Sequence, residues 1–340
     1  MTRVLLTGVG GFIGAHCLEY FLNETNWHIV GIDSFRHKGT YSRVNEIVNY
    51  DPQRVTIVYH DLSVPIDIVL ENRLLERSLA GEIKPIDYII NMASDSAVER
   101  SVSSPVACLR NNYDLAINIL EFARRIKPKI FYQISTDEVY GECYEHPHCE
   151  WESIVPSNPY AASKAAQEAV AISYWRSFGV PIVILNMMNC IGEWQDTEKF
   201  LPKLVWKIAT GQTMEIYGED GNIGSRYYLH CKNVANALIF LSKLPPAKYP
   251  EAKRPDRYNI VGDICLDNLE VAKLVASYMD KPLNYKLIPS ESARPGYDKH
   301  YGLDGSKMRS LGWRHPILTS DAIKKIVDWT LAHPYWLVTS

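Results

Sequence analysis

The chain has 340 residues, of which 46% are hydrophobic and 22% charged, with a net charge of −3. It is long enough for one large or two modest domains, and its slight acidity supplies no basic field for nucleic acid. No apolar run approaches the length of a membrane span, and the N-terminus enters Val4-Leu5-Leu6 and a glycine turn without signal-peptide anatomy. Neither nucleic acid nor membrane is therefore expected as a partner. Seven cysteines, at 17, 108, 143, 149, 190, 231 and 265, are odd in number and scattered. They fit reduced thiols of a cytoplasmic protein better than a disulfide framework.

In chain order, Val4–Thr7 reads as a strand, followed by a glycine turn and a helix over 13–22. Strands follow at 28–32, 55–59, 88–91, 130–135 and 181–185, with helices over 107–125 and 160–178 between the later ones. Gly179-Val180-Pro181 marks the end of the second of these helices. Such alternation predicts an α/β fold, a Rossmann-type doubly wound parallel sheet covered on both faces. The second half is less regular. Helices are predicted over 200–210, 269–279 and 320–331, and a surface loop over 245–255. A smaller α/β C-terminal substrate lobe is expected, formed by 186–226 and 263–340, with 1–185 and 227–262 forming the sheet domain.

Gly8, Gly11 and Gly14 follow the first strand and open a helix, an order that suits a dinucleotide pyrophosphate. Asp33 ends the second strand, where a carboxylate can accept from both ribose hydroxyls and repel a 2′-phosphate. That favours NAD over NADP, although Arg36 and Lys38 stand nearby and read as solvated loop charges. Asp61, after the third strand, reads either as an adenine contact or as a helix N-cap.

Tyr160 and Lys164 lie one helical turn apart, so the lysine can lower the phenol's pKa and hold the nicotinamide ribose. The phenol can then remove a proton from a sugar hydroxyl as hydride leaves. Ser135-Thr136-Asp137-Glu138-Val139-Tyr140-Gly141 adds two adjacent carboxylates, an acid and a base that oxidation alone does not need. Removal of water beside an acidified C–H needs both. Burial beside Glu138 would keep one of the pair protonated near neutral pH. Cys143-x-x-His146-x-His148-Cys149 lacks a common zinc spacing, and no metal is expected. His16 reads as a packing residue, and Tyr132, Tyr140, Trp151 and Tyr174 as core or interface.

The glycine turn and Tyr160-x-x-x-Lys164 resemble the extended short-chain dehydrogenase/reductase family, and Ser135 to Gly141 resembles its nucleotide-sugar 4,6-dehydratases acting on dTDP-glucose or UDP-glucose. The likeness covers nearly the whole chain. It implies NAD held by Gly8, Gly11, Phe12, Ile13, Gly14, Asp33, Asp61, Leu62, Ala93, Ser94 and Asn111 as well as by Tyr160 and Lys164. It implies substrate contacts from Ser96, Thr136, Asn189, Lys199, Tyr217, Arg226, Asn268, Arg294 and Tyr297, with Arg226 and Arg294 on the diphosphate. Asn268 reads equally as a helix N-cap. Asn186 and Tyr258-Asn259-Ile260 also resemble segments of the family's substrate region.

The implied reaction converts an NDP-glucose to the 4-keto-6-deoxy sugar. Tyr160 and Thr136 serve oxidation at C4, Glu138 takes the C5 proton, and Asp137 protonates the departing C6 hydroxyl. The resemblance also implies a homodimer through the helices over 107–125 and 160–178. The chain departs from the family pattern at Ala97, Ile191, Asn233, Tyr297 and 192–195, and by one extra residue between Tyr217 and Arg226. Rival readings are an epimerase or decarboxylase of the same fold, or an inactive NAD-binding regulator.

Overall fold

The computed structural model describes residues 1–289 and 295–337. Its first half runs β1 (Arg3–Thr7), α1 (Phe12–Glu24), β2 (His28–Asp33), α2 (Tyr41–Asn45), β3 (Val55–Tyr59), α3 (Ile68–Leu74), β4 (Tyr88–Asn91), α4 (Val98–Ser103), α5 (Pro105–Ile126), β5 (Ile130–Thr136), α6 (Pro159–Phe178) and β6 (Ile182–Met187). A seventh strand, Asp256–Ile260, joins beside β6, so that the parallel sheet has β6, β5, β4, β1, β2 and β3 in that order after it.

The central strands are apolar on both sides because both sheet faces are covered. Val4 and Leu6 of β1 enter one core with Tyr132, Ile134, Val183 and Leu185. Leu5 enters the other with Phe131, Ile182 and Ile184. The period-two alternation of side chains thus feeds two cores from one strand. Strand order reverses between β1 and β4, which opens a crevice at the carboxyl ends of the strands. A third core joins the helices Phe200–Ala209, Asn268–Tyr278 and Thr319–Ala332 to a small sheet containing Met214–Glu219 and Tyr285–Ile288.

The predicted strands and the long helices are present. The structure adds α3, α4, the helix Cys231–Leu241 and the seventh strand, which the hydrophobic pattern did not show. Asp256-Arg257-Tyr258-Asn259-Ile260 hides its strand character because Arg257 and Asn259 are themselves buried. The Arg257 guanidinium donates to Glu168 Oε2 at 2.6 Å and to the Tyr140 hydroxyl at 3.0 Å. Asn186 Nδ2 donates to Glu168 Oε1 at 2.8 Å. A charged pair with this many partners can be carried inside a sheet fold, whereas an unpartnered charge cannot.

Arg257→Met is expected to strand the Glu168 carboxylate and cost roughly 3–5 kcal/mol, the usual penalty for breaking a buried pair. The denaturant midpoint should fall accordingly, and the double change Arg257→Met with Glu168→Gln should recover part of the loss.

Candidate active site

The crevice holds a cleft with about 1330 Å³ of empty space, open to solvent on one side. Its floor is the turn after β1. Gly8 has φ +72, and a Cβ on Gly14 would stand 2.0 Å from the Gly8 carbonyl oxygen, so the chain can approach itself only without side chains. Gly11 caps α1 with no side-chain hydrogen bond, leaving the first-turn N–H groups facing the cleft. That cradle fits a dinucleotide pyrophosphate.

All the residues expected to hold the cofactor line this cleft: Gly8, Gly11, Phe12, Ile13, Gly14, Asp33, Asp61, Leu62, Ala93, Ser94, Asn111, Tyr160 and Lys164. Ser96 and Lys199 line it too, as does Ala97. Asp33 accepts N–H bonds from Gly10 at 2.9 Å and Phe35 at 2.8 Å, which anchors its carboxylate to the glycine turn.

Arg36 and Lys38 are solvated, as expected of loop charges, and each is also paired. Arg36 pairs with Asp61 at 2.6 Å and donates to Asn111 at 2.6 Å, while Lys38 pairs with Glu198 at 3.0 Å. Asp61 is not a helix N-cap. It accepts from the backbone N–H and hydroxyl of Ser63 in a turn, and Asp67 caps α3.

Sequence reasoning missed the mouth of the cleft, where His37, Arg100 and Gln195 also stand. Arg43, fully buried, fastens that mouth. It donates to the carbonyls of Lys38, Gly10 and Trp194 and to Asp196 at 3.0 Å. The spacing of one arginine in a five-residue helix carries no sign of this.

Thr136, Asp137 and Glu138 occupy the end of β5 and the tight turn after it. The Thr136 hydroxyl donates to Asp137 Oδ1 at 2.8 Å and accepts the Glu138 N–H at 3.3 Å. Asp137 Oδ2 is buried and has no hydrogen-bond partner among the described residues. Burial first, and the Glu138 charge second, push the Asp137 carboxyl up to about 7. Asn158, which sequence reasoning also missed, donates to Glu138 Oε2 at 3.0 Å.

Tyr160 lies just beyond it on α6, close enough that both carboxylates act on it. Burial, then Glu138 and Asp137, hold its phenol well above 10. The expected lowering by Lys164 is absent because Lys164 points elsewhere. Its ammonium donates to the Ile134 carbonyl and to Gln167, each at 2.7 Å. Burial brings that ammonium down to about 8, against the pull of Glu168.

Residues from the second half of the chain approach the carboxylate pair. Arg226 lies 4.9 Å from the Tyr301 ring and 5.9 Å from the Tyr297 ring, and its charge reaches Asp137. Tyr217 packs on Tyr297 with centroids 5.8 Å apart. Asn268 is the first residue of its helix and not the cap, a role taken by Asp267 in a capping box with Glu270. Asn268 Oδ1 instead accepts from the Tyr228 hydroxyl at 2.8 Å and from Arg226 at 3.5 Å. Asn189 Oδ1 is buried without a partner among the described residues. Tyr301 is a further residue the sequence did not single out. It feels the charges of Glu138, Asp298, Arg226 and Asp137. Arg294 lies outside the described residues.

Several expected contacts are scaffold. Asn186 holds Glu168 and the Thr136 carbonyl. Asn259 holds the carbonyls of His148 and Asp304. Asn233 makes a two-bond clamp with the backbone of Ile317. His16 is buried, stacked on Trp194 at 4.5 Å, with its Nε2 at 2.7 Å from the Glu193 carbonyl oxygen. His148 pairs with Glu152 at 2.8 Å, and Cys149 donates to Asp304 at 3.7 Å.

The model of the family described as GDP-mannose 4,6 dehydratase matches residues 5–326. The chain belongs to this family. Among curated members of similar sequence is a dTDP-glucose 4,6-dehydratase of Shigella flexneri, 28% identical over 98% of this chain and 94% of its own. Among solved structures, DesIV, a dTDP-glucose 4,6-dehydratase of Streptomyces venezuelae crystallised with NAD, is 27% identical. It superposes with a TM-score of 0.83 over 98% of both chains. A UDP-glucose 4-epimerase of Thermus thermophilus, also with NAD, is 26% identical, with a TM-score of 0.80 over 96% of this chain and 98% of its own. This 4,6-dehydratase family member thus shares its architecture with epimerases, and its own side chains have to distinguish the two.

Gly14→Ala is expected to empty the cleft of dinucleotide. Its methyl would meet backbone rather than a yielding side chain, and overpacking of this kind costs about 1–3 kcal/mol. Thermal unfolding and chromatography of nucleotide released from the purified, denatured protein check both effects.

Proposed function

We propose that the chain is an NAD-dependent hydro-lyase that converts a nucleoside-diphosphate glucose, dTDP- or UDP-linked, to its 4-keto-6-deoxy derivative. One observation carries the reading. Asp137, held protonated to about 7, stands beside Glu138, and both act on Tyr160. Epimerisation at C4 needs the tyrosine and the cofactor but no such acid–base pair.

Bound NAD would supply a carrier that accepts the hydride from C4 and gives it back at C6, and with a proton returned to C5 the product is the 4-keto-6-deoxy sugar. The protein does the rest. Tyr160 takes the proton of the 4-hydroxyl, with Thr136 beside it, and the resulting ketone acidifies C5. Glu138 removes the C5 proton. The electrons of that C–H bond form the C5–C6 double bond as the C6–O bond breaks, and the hydroxyl leaves as water with the proton of Asp137. Arg226, Asn268, Asn189, Lys199, Tyr217, Ser96 and Tyr297 face the nucleotide-sugar, and Arg294, outside the described residues, is assigned to its diphosphate. Residues 186–226 and 263–340 form the substrate side, and 1–185 and 227–262 the cofactor side.

The protein is further proposed to work in the cytoplasm as a homodimer. All seven cysteines are free thiols, and no helix among the described residues is long and apolar enough to cross a membrane. Val106, Leu109 and Tyr113 of α5 and Phe178 of α6 expose apolar surface that a second copy can cover. Leu115 of α5 and Trp175 of α6 belong to the protomer core. Light scattering at micromolar concentration should give twice the protomer mass.

Incubation with dTDP-glucose and UDP-glucose should yield an alkali-labile 4-keto product from one of them. Glu138→Gln should lower turnover by about 10²–10⁴, with NADH absorbance appearing and little solvent deuterium entering C5. Tyr160→Phe should give neither NADH nor product. A wild-type rate with normal C5 deuterium in Glu138→Gln would remove the base from this scheme.

Asp137 also sets a pH dependence. The unfolded chain gives up this proton near 3.8 and the folded chain near 7, so its contribution to stability is greatest below 3.8 and falls until about 7. Asp137→Asn should therefore gain on the wild type in denaturation midpoint across that window. Turnover of the wild type should decline above about 7 as the acid is lost.

A further inference from the structure

Asn158 joins two parts of the site with one amide. Its Oδ1 accepts the Ala161 N–H at 2.9 Å and caps α6, the helix that presents Tyr160 and Lys164. Its Nδ2 donates to Glu138 Oε2 at 3.0 Å. The side chain is 6% exposed, and a Cβ on Gly296 would lie 3.3 Å from its own Cβ, so its position is fixed from both sides. An Asn amide can do both things because it carries an acceptor and a donor. Serine could cap but is too short to reach Glu138 as well. Aspartate could cap but has nothing to donate.

We propose that Asn158 is the positioning residue that assigns the roles of the two carboxylates, fixing Glu138 as the base and leaving the proton on Asp137. The inference rests on the dehydratase reading. An N–H donated to a carboxylate favours its charged form, whereas Asp137 receives a hydroxyl on one oxygen and keeps the other buried, with no partner among the described residues. Two neighbouring carboxyls that share one proton are then no longer equivalent. The groups facing the pair are Tyr160 from α6, and Arg226 and Tyr301 from the C-terminal lobe. The amide also ties the base to the helix of Tyr160, so the C4 and C5 chemistry share one rigid mount.

The test compares Asn158→Ser and Asn158→Asp with the wild type. Both keep a capping oxygen and lose the donor to Glu138. Expected are wild-type NAD content and KM, with kcat lower by roughly ten- to hundredfold, a part of the full acid–base contribution of about 10²–10⁴. The acidic limb of the kcat profile should move to higher pH, further for the aspartate, and C5 deuterium uptake should slow while NADH absorbance builds up. In a Glu138→Gln background the same changes should have almost no additional effect, because Asn158 acts through that carboxylate.

Wild-type pH profiles and C5 exchange in both variants would overturn the proposal. So would failure of both to fold, which would make the amide scaffold only. If the wild-type enzyme makes no 4-keto product from any nucleoside-diphosphate hexose, the functional reading itself fails. Product from the wild type with unshifted variants sinks this inference alone.

Discussion

The site depends on two carboxylates placed side by side in a turn that has almost no water. Charged together they would repel each other and forfeit their solvation, and both effects are relieved when one keeps its proton. Burial and proximity thus act as one constraint. They supply an acid at neutral pH from a residue that in water would be ionised. β5 brings the pair to the carboxyl edge of the sheet, where strand order reverses and the cleft opens.

The same constraint works against Tyr160. Two nearby carboxylates and a dry wall raise the phenol, and Lys164 is turned toward the Ile134 carbonyl and Gln167. A tyrosine so placed is a poor base by itself. A positive charge brought over the cleft would offset the repulsion, and a ribose hydroxyl arriving near Lys164 would offer its ammonium another acceptor. The protein half of the redox site is complete in its residues but is tuned to work together with its cofactor.

The sheet and the dinucleotide cradle were legible in the sequence because both are local. A run of alternating apolar residues or a glycine spacing is written in consecutive positions. The Thr136-Asp137-Glu138 turn and the Tyr160/Lys164 pair were legible for the same reason. Asp256–Ile260 was not, since its arginine is tolerable only next to a glutamate 89 residues away. Asn158 was not singled out, since its second bond reaches back 20 residues. For Asp61 and Asn268 a helix cap stood open beside a ligand contact, because a capping residue is defined by where the backbone turns. Residue type does not fix that.

Arg43 gives the cleft a mechanical property. Its guanidinium grips the turn after β1 at Gly10, the loop after β2 at Lys38, and the 194–196 segment that leads into the helix Phe200–Ala209. These three pieces belong to different stretches of chain, yet none can swing outward without breaking bonds to the same buried cation. The rim of the cleft is therefore fastened to the approach to that helix, and an outward shift of either would have to break bonds held by the other.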